Sequence, residues 1–191
     1  MSIEKAKASD AVSGGLVAGT QSGETAKATG RFRMECYDKD GLLKWSAESQ
    51  NLVVNVGLQY MAGVALTSTA QITSWYIGLY GAGASNTPAA TDTMSSHAGW
   101  TEVTPYAGTR PAATFAAATN ANPSVVTNTA SPASFSINAT QTVGGAFLTS
   151  NNTAGGTTGT LFSAADFQSP GDRSVVSGDT LNVTYQFSLA G

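Results

Sequence analysis

Thr180-Leu181-Asn182-Val183-Thr184-Tyr185-Gln186-Phe187-Ser188-Leu189 decides how this chain is read. Leu181, Val183, Tyr185, Phe187 and Leu189 fall on one side of the segment, and Asn182, Thr184, Gln186 and Ser188 on the other. Successive side chains of an extended chain point to opposite faces, so this strict alternation marks a strand with one face on a core and one toward water. Gly178-Asp179 just before it is a turn signal. The same period runs through Arg31-Phe32-Arg33-Met34-Glu35-Cys36-Tyr37 near the other end. Asp38-Lys39-Asp40-Gly41 follows, and Asp and Gly tolerate the backbone conformations of a tight turn. Residues 42–48 resume an extended pattern and complete a hairpin.

Between these ends lie further strands. Residues 73–80 are apolar and aromatic-rich, which predicts a strand buried on both faces, ended by Gly81-Ala82-Gly83. Residues 133–138 alternate, and 142–148 and 160–163 follow, the last two separated by a Gly/Thr/Asn-rich loop. From 84 to 133, Pro88, Pro105, Pro111, Pro123 and Pro132 punctuate the chain and leave room for short strands at 100–103, 114–116 and 125–126. One segment departs from period two. Val53, Val56, Tyr60 and Val64 recur at helical spacing, which predicts a helix over 55–65, with Asn55 as its cap and Gly63 weakening its end. Many short strands, one short helix and no internal repeat predict an all-β, mainly antiparallel fold, a β-sandwich or a jelly-roll-like barrel. Residues 31–191 form one β-rich domain in this reading. Residues 1–30 are rich in Ala, Gly, Ser and Thr, and their bulky aliphatic side chains after Met1 are Ile3, Val12, Leu16 and Val17. Such a segment buries too little apolar area to order itself, so it is expected to be an extended or flexible N-terminal arm.

Only 11% of the 191 residues are charged, and the net charge is −3. Soluble domains carry about a quarter. The surface is therefore expected to be dominated by small uncharged residues, which suits close contact with another protein. Mild acidity argues against nucleic acid, whose phosphates call for a basic patch. No apolar run is long enough for a membrane-spanning helix, and the N-terminus has no basic region followed by an apolar run. Synthesis and use in the cytoplasm are expected.

Reactive side chains are few. The chain has one histidine and one cysteine, too few for a zinc site or a disulfide framework. His97 follows Asp92, Ser95 and Ser96 in one loop. A catalytic triad needs such groups to converge in space and is rarely built from a single loop, so His97 is expected to bond backbone. Cys36 reads as a small buried hydrophobe. Asp38-Lys39-Asp40-Gly41 resembles the start of a calcium loop but has Ser49 where the bidentate Glu belongs, and is read as a plain turn. Gly81-Ala82-Gly83-Ala84-Ser85-Asn86 lacks the third glycine of a dinucleotide fingerprint, and Pro88 follows. Trp45, Trp75 and Trp100 would suit a sugar-binding cleft, yet packing is the expected role of each. No catalytic, cofactor-binding or metal-ligating residue is therefore assigned, and the chain is expected not to be an enzyme.

The order of motifs resembles virion structural proteins of tailed bacteriophages. The residues that carry the resemblance are Asn51-Leu52-Val53-Val54-Asn55-Val56-Gly57-Leu58-Gln59-Tyr60, Trp75-Tyr76-Ile77-Gly78-Leu79, and Asp92 through Glu102 with Tyr106. Gly144-Gly145-Ala146-Phe147-Leu148, Gly159-Thr160-Leu161-Phe162 and Gly178-Asp179-Thr180-Leu181-Asn182-Val183-Thr184-Tyr185 complete it. The resemblance implies a virion component. Together with the low charge and the arm, it leads us to expect a capsid decoration, or cement, protein that binds the major capsid protein and self-associates as a homodimer or homotrimer. A tail, baseplate or fibre protein is the alternative within the same class, and a carbohydrate-binding module the alternative outside it.

Overall fold

The computed structural model describes residues 26–81, 87–167 and 171–191. The first five strands are β1 (Lys27–Tyr37), β2 (Leu43–Gln50), β3 (Leu52–Val53), β4 (Tyr76–Gly81) and β5 (Glu102–Val103). They are followed by β6 (Ser124–Thr127), β7 (Ala133–Ser136), β8 (Gln141–Thr149), β9 (Leu161–Asp166), β10 (Arg173–Val175) and β11 (Thr180–Ala190). One helix, α1 (Asn55–Leu66), lies between β3 and β4. All strand pairs are antiparallel and form two sheets. One runs β2-β1-β11-β6 with β7 also on β11. The other runs β3-β9-β8-β4-β5 with β10 also on β8. The fold is an all-β sandwich, and the barrel alternative falls because the two sheets do not close on each other.

The first and last strands pair along their whole length, from Lys27 opposite Ala190 to Tyr37 opposite Thr180. This register puts Phe32, Met34 and Cys36 of β1 on the same inward face as Leu181, Val183 and Tyr185 of β11, all fully buried or nearly so. The hairpin to β2 closes as expected. Asp38 Oδ1 accepts the backbone N–H groups of Asp40 and Leu42 at 2.9 Å, and Gly41 takes a φ of 80°. That left-handed conformation costs glycine little. Strand β1 begins at Lys27, four residues before the expected boundary at 31. The rest of the expected arm, residues 1–25, lies outside the described residues.

The β4 segment is buried on both faces, for a reason the sequence did not show: the second sheet has a further layer outside it. Ile77 and Leu79 face the first sheet, while Tyr80 faces outward into a second cluster with Phe147, Trp100 and Met94. Two cross-strand pairs build that outer face reciprocally. Gly78 of β4 lies opposite Phe147 of β8, and Tyr80 of β4 opposite Gly145 of β8. Each ring lies across the other strand's glycine: a Cβ on Gly78 would sit 2.1 Å from Phe147 Cζ, and one on Gly145 would sit 2.3 Å from Tyr80 Oη. An aromatic ring covering a glycine in this way replaces the packing that the missing side chain would have supplied.

The helix occupies the expected span and packs Val56 and Tyr60 of the expected stripe against the core, but its cap differs. Val54, not Asn55, is the capping residue, and no side chain caps it. The first-turn donor of Asn55 is instead satisfied by the carbonyl of Ala90, at 2.8 Å. The buried residue is Gly57, whose missing side chain lets the helix approach the Phe162 carbonyl of β9; Val56, Tyr60 and Val64 are half-buried. Residues 100–103 shrink to the two-residue β5, 125–126 extend to β6, and 114–116 form no strand. The short β10 was not expected.

Gly78→Ala should destabilise the protein by about 1–3 kcal/mol, the range for overpacking a well-filled core. A lowered denaturant midpoint with an unchanged slope would register it. A midpoint equal to wild type would mean that the Phe147 ring is free to move.

Candidate assembly surface

Charge is unevenly placed on this sandwich. The exposed charged residues among those described lie between 27 and 48 and at Asp172. From Ser49 to Ala165 the sequence contains three charged residues, Asp92, Glu102 and Arg110. Their side chains are all buried or nearly so. Between Ser49 and Ala165 the second sheet, its covering loops and α1 therefore present no exposed charge, while Asp172 marks the β10 end of the same sheet.

Each of the three is withdrawn by a specific set of bonds. Arg110 grips Glu102 in a two-point pair, Nε to Oε1 at 2.8 Å and Nη2 to Oε2 at 2.6 Å. It also donates to the carbonyls of Asn151 at 2.8 Å and Gly156 at 2.9 Å. The Gly155 N–H closes the circuit on Glu102 Oε2 at 2.9 Å. The guanidinium carbon stands 5.2 Å from the centre of the Phe147 ring. Arg110 thus fixes the 150–156 loop onto the aromatic layer. This arrangement carries the charge inside a surface that is otherwise apolar or weakly polar, and a buried pair of this kind needs every donor filled.

Asp92 does the corresponding work in the preceding loop. Its Oδ2 accepts the Trp100 indole N–H and the Ala89 backbone N–H, both at 2.9 Å. His97 stacks on Trp100, centroids 3.8 Å apart and planes at 15°, and its Nδ1 is 2.8 Å from the Trp100 carbonyl. His97 thus bonds backbone, as expected of a loop histidine, and the Asp92 contacts run to Trp100 and Ala89. The carboxylate holds the tryptophan that covers β4 and β8, which ties the His97 loop to packing.

The other two tryptophans also pack edge-on against rings. Trp75 meets Tyr60 and Phe162, and Trp45 meets Phe167 while its N–H donates to the Ser174 carbonyl. On the uncharged side, apolar side chains reach solvent from the helix: Leu58 is 44% exposed and Leu66 85%. Leu52, on β3 beside it, is also exposed.

The outer face of the first sheet has the opposite character. Arg31 pairs with Glu48 at 2.9 Å and with Gln186 at 3.0 Å, and Arg33 pairs with Glu35 at 2.5 Å. These groups and Thr184 line a shallow polar groove of about 310 Å³. Such solvated pairs contribute little to stability, about 0–1 kcal/mol each.

Where this sheet meets the β10 turn, Asp179 is buried and joined by Lys44 Nζ at 2.5 Å, by the Val176 N–H at 2.9 Å and by the Cys36 thiol at 3.6 Å. Burial pushes the Asp179 carboxyl up, but the bonds from Lys44 and Val176 outweigh it and hold its pKa below the usual value. Cys36 is pushed up to about 12 by burial and by the Asp179 charge. Its thiol stays protonated at neutral pH, in keeping with the expected buried-hydrophobe role.

Among the described residues, no group of three or more His, Cys, Asp and Glu side chains is placed to hold a metal ion. No helix described is long and apolar enough to cross a membrane. The hydrogen bonds of the Asp38 turn run within residues 38–42, and the glycine-rich 82–86 segment lies outside the described residues.

No protein-family model matches the chain. No curated protein and no solved structure matches it either.

Arg110→Met should cost about 3–5 kcal/mol, because it strands the buried Glu102 carboxylate, and should open the 150–156 loop to limited proteolysis. Adding Glu102→Leu should recover much of that loss. A single variant as stable as wild type would mean that the pair stabilises nothing.

A second expectation concerns acid. The folded Asp179 carboxyl has the lower pKa, so its stabilisation is present above the unfolded carboxyl value near 4. It is lost as pH falls through the folded value. Asp179→Asn should therefore be less stable than wild type at neutral pH, and the gap should narrow below about pH 4 in chemical denaturation. A gap independent of pH would show that the charge is not the cause.

Proposed function

We propose that this protein is a non-enzymatic structural component of a bacteriophage virion, and that it acts as a capsid decoration protein binding the outer shell. One observation carries the reading: from residue 49 to 165 every charged side chain is withdrawn into a bonded, buried position, which leaves a broad surface without exposed charge. Protein association must strip water from both faces, and desolvating an unpaired charge costs far more than desolvating Ser, Thr, Ala or an amide. A face built from α1, the loops over β4 and β8 and the 150–156 loop can be covered without that penalty. The charged outer face of the first sheet would remain toward solvent, which orients the molecule on its partner.

The proposed partner is the major capsid protein, with self-association as a homodimer or homotrimer through the same uncharged surface or its edge. Stable interfaces bury about 1,200–2,000 Å² in total. Repetition of the contact over many shell sites would let each be individually weak. The N-terminal arm enters the proposal only through residues upstream of Lys27. The sandwich, the histidine stacked on Trp100 and the ring-packed tryptophans support a scaffold whose side chains are occupied in holding it together.

The test is binding of the purified protein to shells stripped of it, by co-sedimentation, with Leu58→Glu and Leu66→Glu on the helix and Lys39→Glu on the charged hairpin. Binding should fall about tenfold or more for the helix variants, equivalent to about 1.4 kcal/mol, and hold for Lys39→Glu. Circular dichroism confirms that the variants fold, since all three side chains are exposed. Equal binding by all three would remove the uncharged face from the mechanism. Antibody labelling confined to the tail of intact particles would replace the capsid by the tail as the partner.

A further inference from the structure

Asp166 and Asp172 are the two carboxylates of the second sheet that no cation neutralises among the described residues. Asp166 ends β9 opposite Gly145 of β8. Asp172 immediately precedes β10, and its Oδ1 lies 3.1 Å from where a Cβ on Gly144 would stand. Two successive glycines thus clear the β8 backbone between the two acids.

Into this space reaches a third group. The Tyr80 ring lies across Gly145, toward the strand that carries Asp166, and its hydroxyl is fully buried without a hydrogen-bond partner. A buried hydroxyl left unpaired costs about 1–3 kcal/mol, so native structures rarely tolerate one without another component. Arg173 is next in sequence to Asp172, yet it forms no ion pair with either carboxylate, and its Nε is itself buried without a partner.

We propose that Asp166 and Asp172, gathered over the Gly144-Gly145 backbone beside the unpartnered Tyr80 hydroxyl, bind a hard divalent cation of the calcium type. Such ions take six to eight oxygen ligands, and carboxylates, backbone carbonyls and water all serve. Two carboxylates supply the charge here. Water ligands complete the shell, and one of them donates a hydrogen bond to the Tyr80 oxygen. The ion joins the end of β9 to the start of β10 and so pins the β10 turn to the sheet. The inference is independent of the proposed virion role.

The experiment follows thermal unfolding of the full chain in EDTA and in millimolar CaCl2 at matched ionic strength, with MgCl2 and NaCl as controls, and calcium binding by calorimetry. The midpoint should rise in calcium for the wild type, with saturable heat of binding and one ion per chain. The response should disappear in Asp172→Asn, whose exposed position leaves folding intact, and in Asp166→Asn. No calcium response in the wild type overturns the proposal. A response that persists in Asp172→Asn, or one matched by NaCl, overturns it too.

Discussion

Everything in the first sheet depends on the pairing of β1 with β11. The two ends of the domain lie side by side as adjacent inner strands, joined over eleven successive residue pairs from Lys27–Ala190 to Tyr37–Thr180. All other strands of that sheet attach to one of these two: β2 to β1, and β6 and β7 to β11. Until the last strand is available, β1 and its hairpin partner have no sheet to complete and their apolar face has no cover. A contact of this sequence separation carries a loop-closure cost that the local β1–β2 hairpin does not. The strict alternation at both ends is what such a pairing requires, since a slip of one residue would turn Leu181, Val183 and Tyr185 to solvent and bury Asn182 and Thr184.

The second sheet is held by a different device. It is covered on both sides, so its central strands cannot alternate between water and core. Its outer layer is not regular structure but loops, and loops bring polar backbone that must be satisfied. The molecule solves this with three buried charges. Asp92 binds the Trp100 indole and the Ala89 N–H, and the Arg110–Glu102 pair reaches two carbonyls and one N–H of the 150–156 loop. Phe147 links the systems, since Trp100 packs against its ring and Arg110 stands over it, while Gly78 lies opposite it on β4. The absence of exposed charge on this side is thus tied to the packing: the few charged residues available are used to hold loops.

The strands on the solvated sheet were legible because alternation, turn residues and burial all agree there. The Asp38-Lys39-Asp40-Gly41 turn and residues 180–189 behave as their local chemistry dictates. Legibility fails where a distant group makes the decision. Asn55 has the chemistry of a cap, but the Ala90 carbonyl already serves the helix start, and Val54 takes the position. The apolar stripe of α1 pointed to Val56, Tyr60 and Val64. Val56 and Tyr60 do pack against the core, but the residue buried deepest is Gly57, because close approach to the Phe162 carbonyl needs the smallest side chain. β10 has three residues and no pattern of its own; its pairing with β8 creates it. Arg110, between Thr109 and Pro111, carries no local motif. The one signal available was its isolation: a charged residue in a long uncharged stretch has been kept there for a partner, and Glu102 is one of the two others in the same stretch.

That isolation bears on how the surface is used. Had the low charge content been spread evenly, every face of the protein would be equally suited to contact and none would be selected. With the exposed charge confined to β1, β2, their turn and Asp172, one face carries the hydration shell and the other can lose it, so association has a preferred direction before any specific contact is formed. The same arrangement limits misuse. Exposed apolar side chains on the uncharged side, Leu52, Leu58 and Leu66, sit on β3 and α1, and a helix offers no open strand edge for unregulated pairing. The short edge strands β3 and β5, of two residues each, restrict that route further on the second sheet. A face that sheds water readily yet presents little free backbone favours docking by side-chain complementarity over sheet extension.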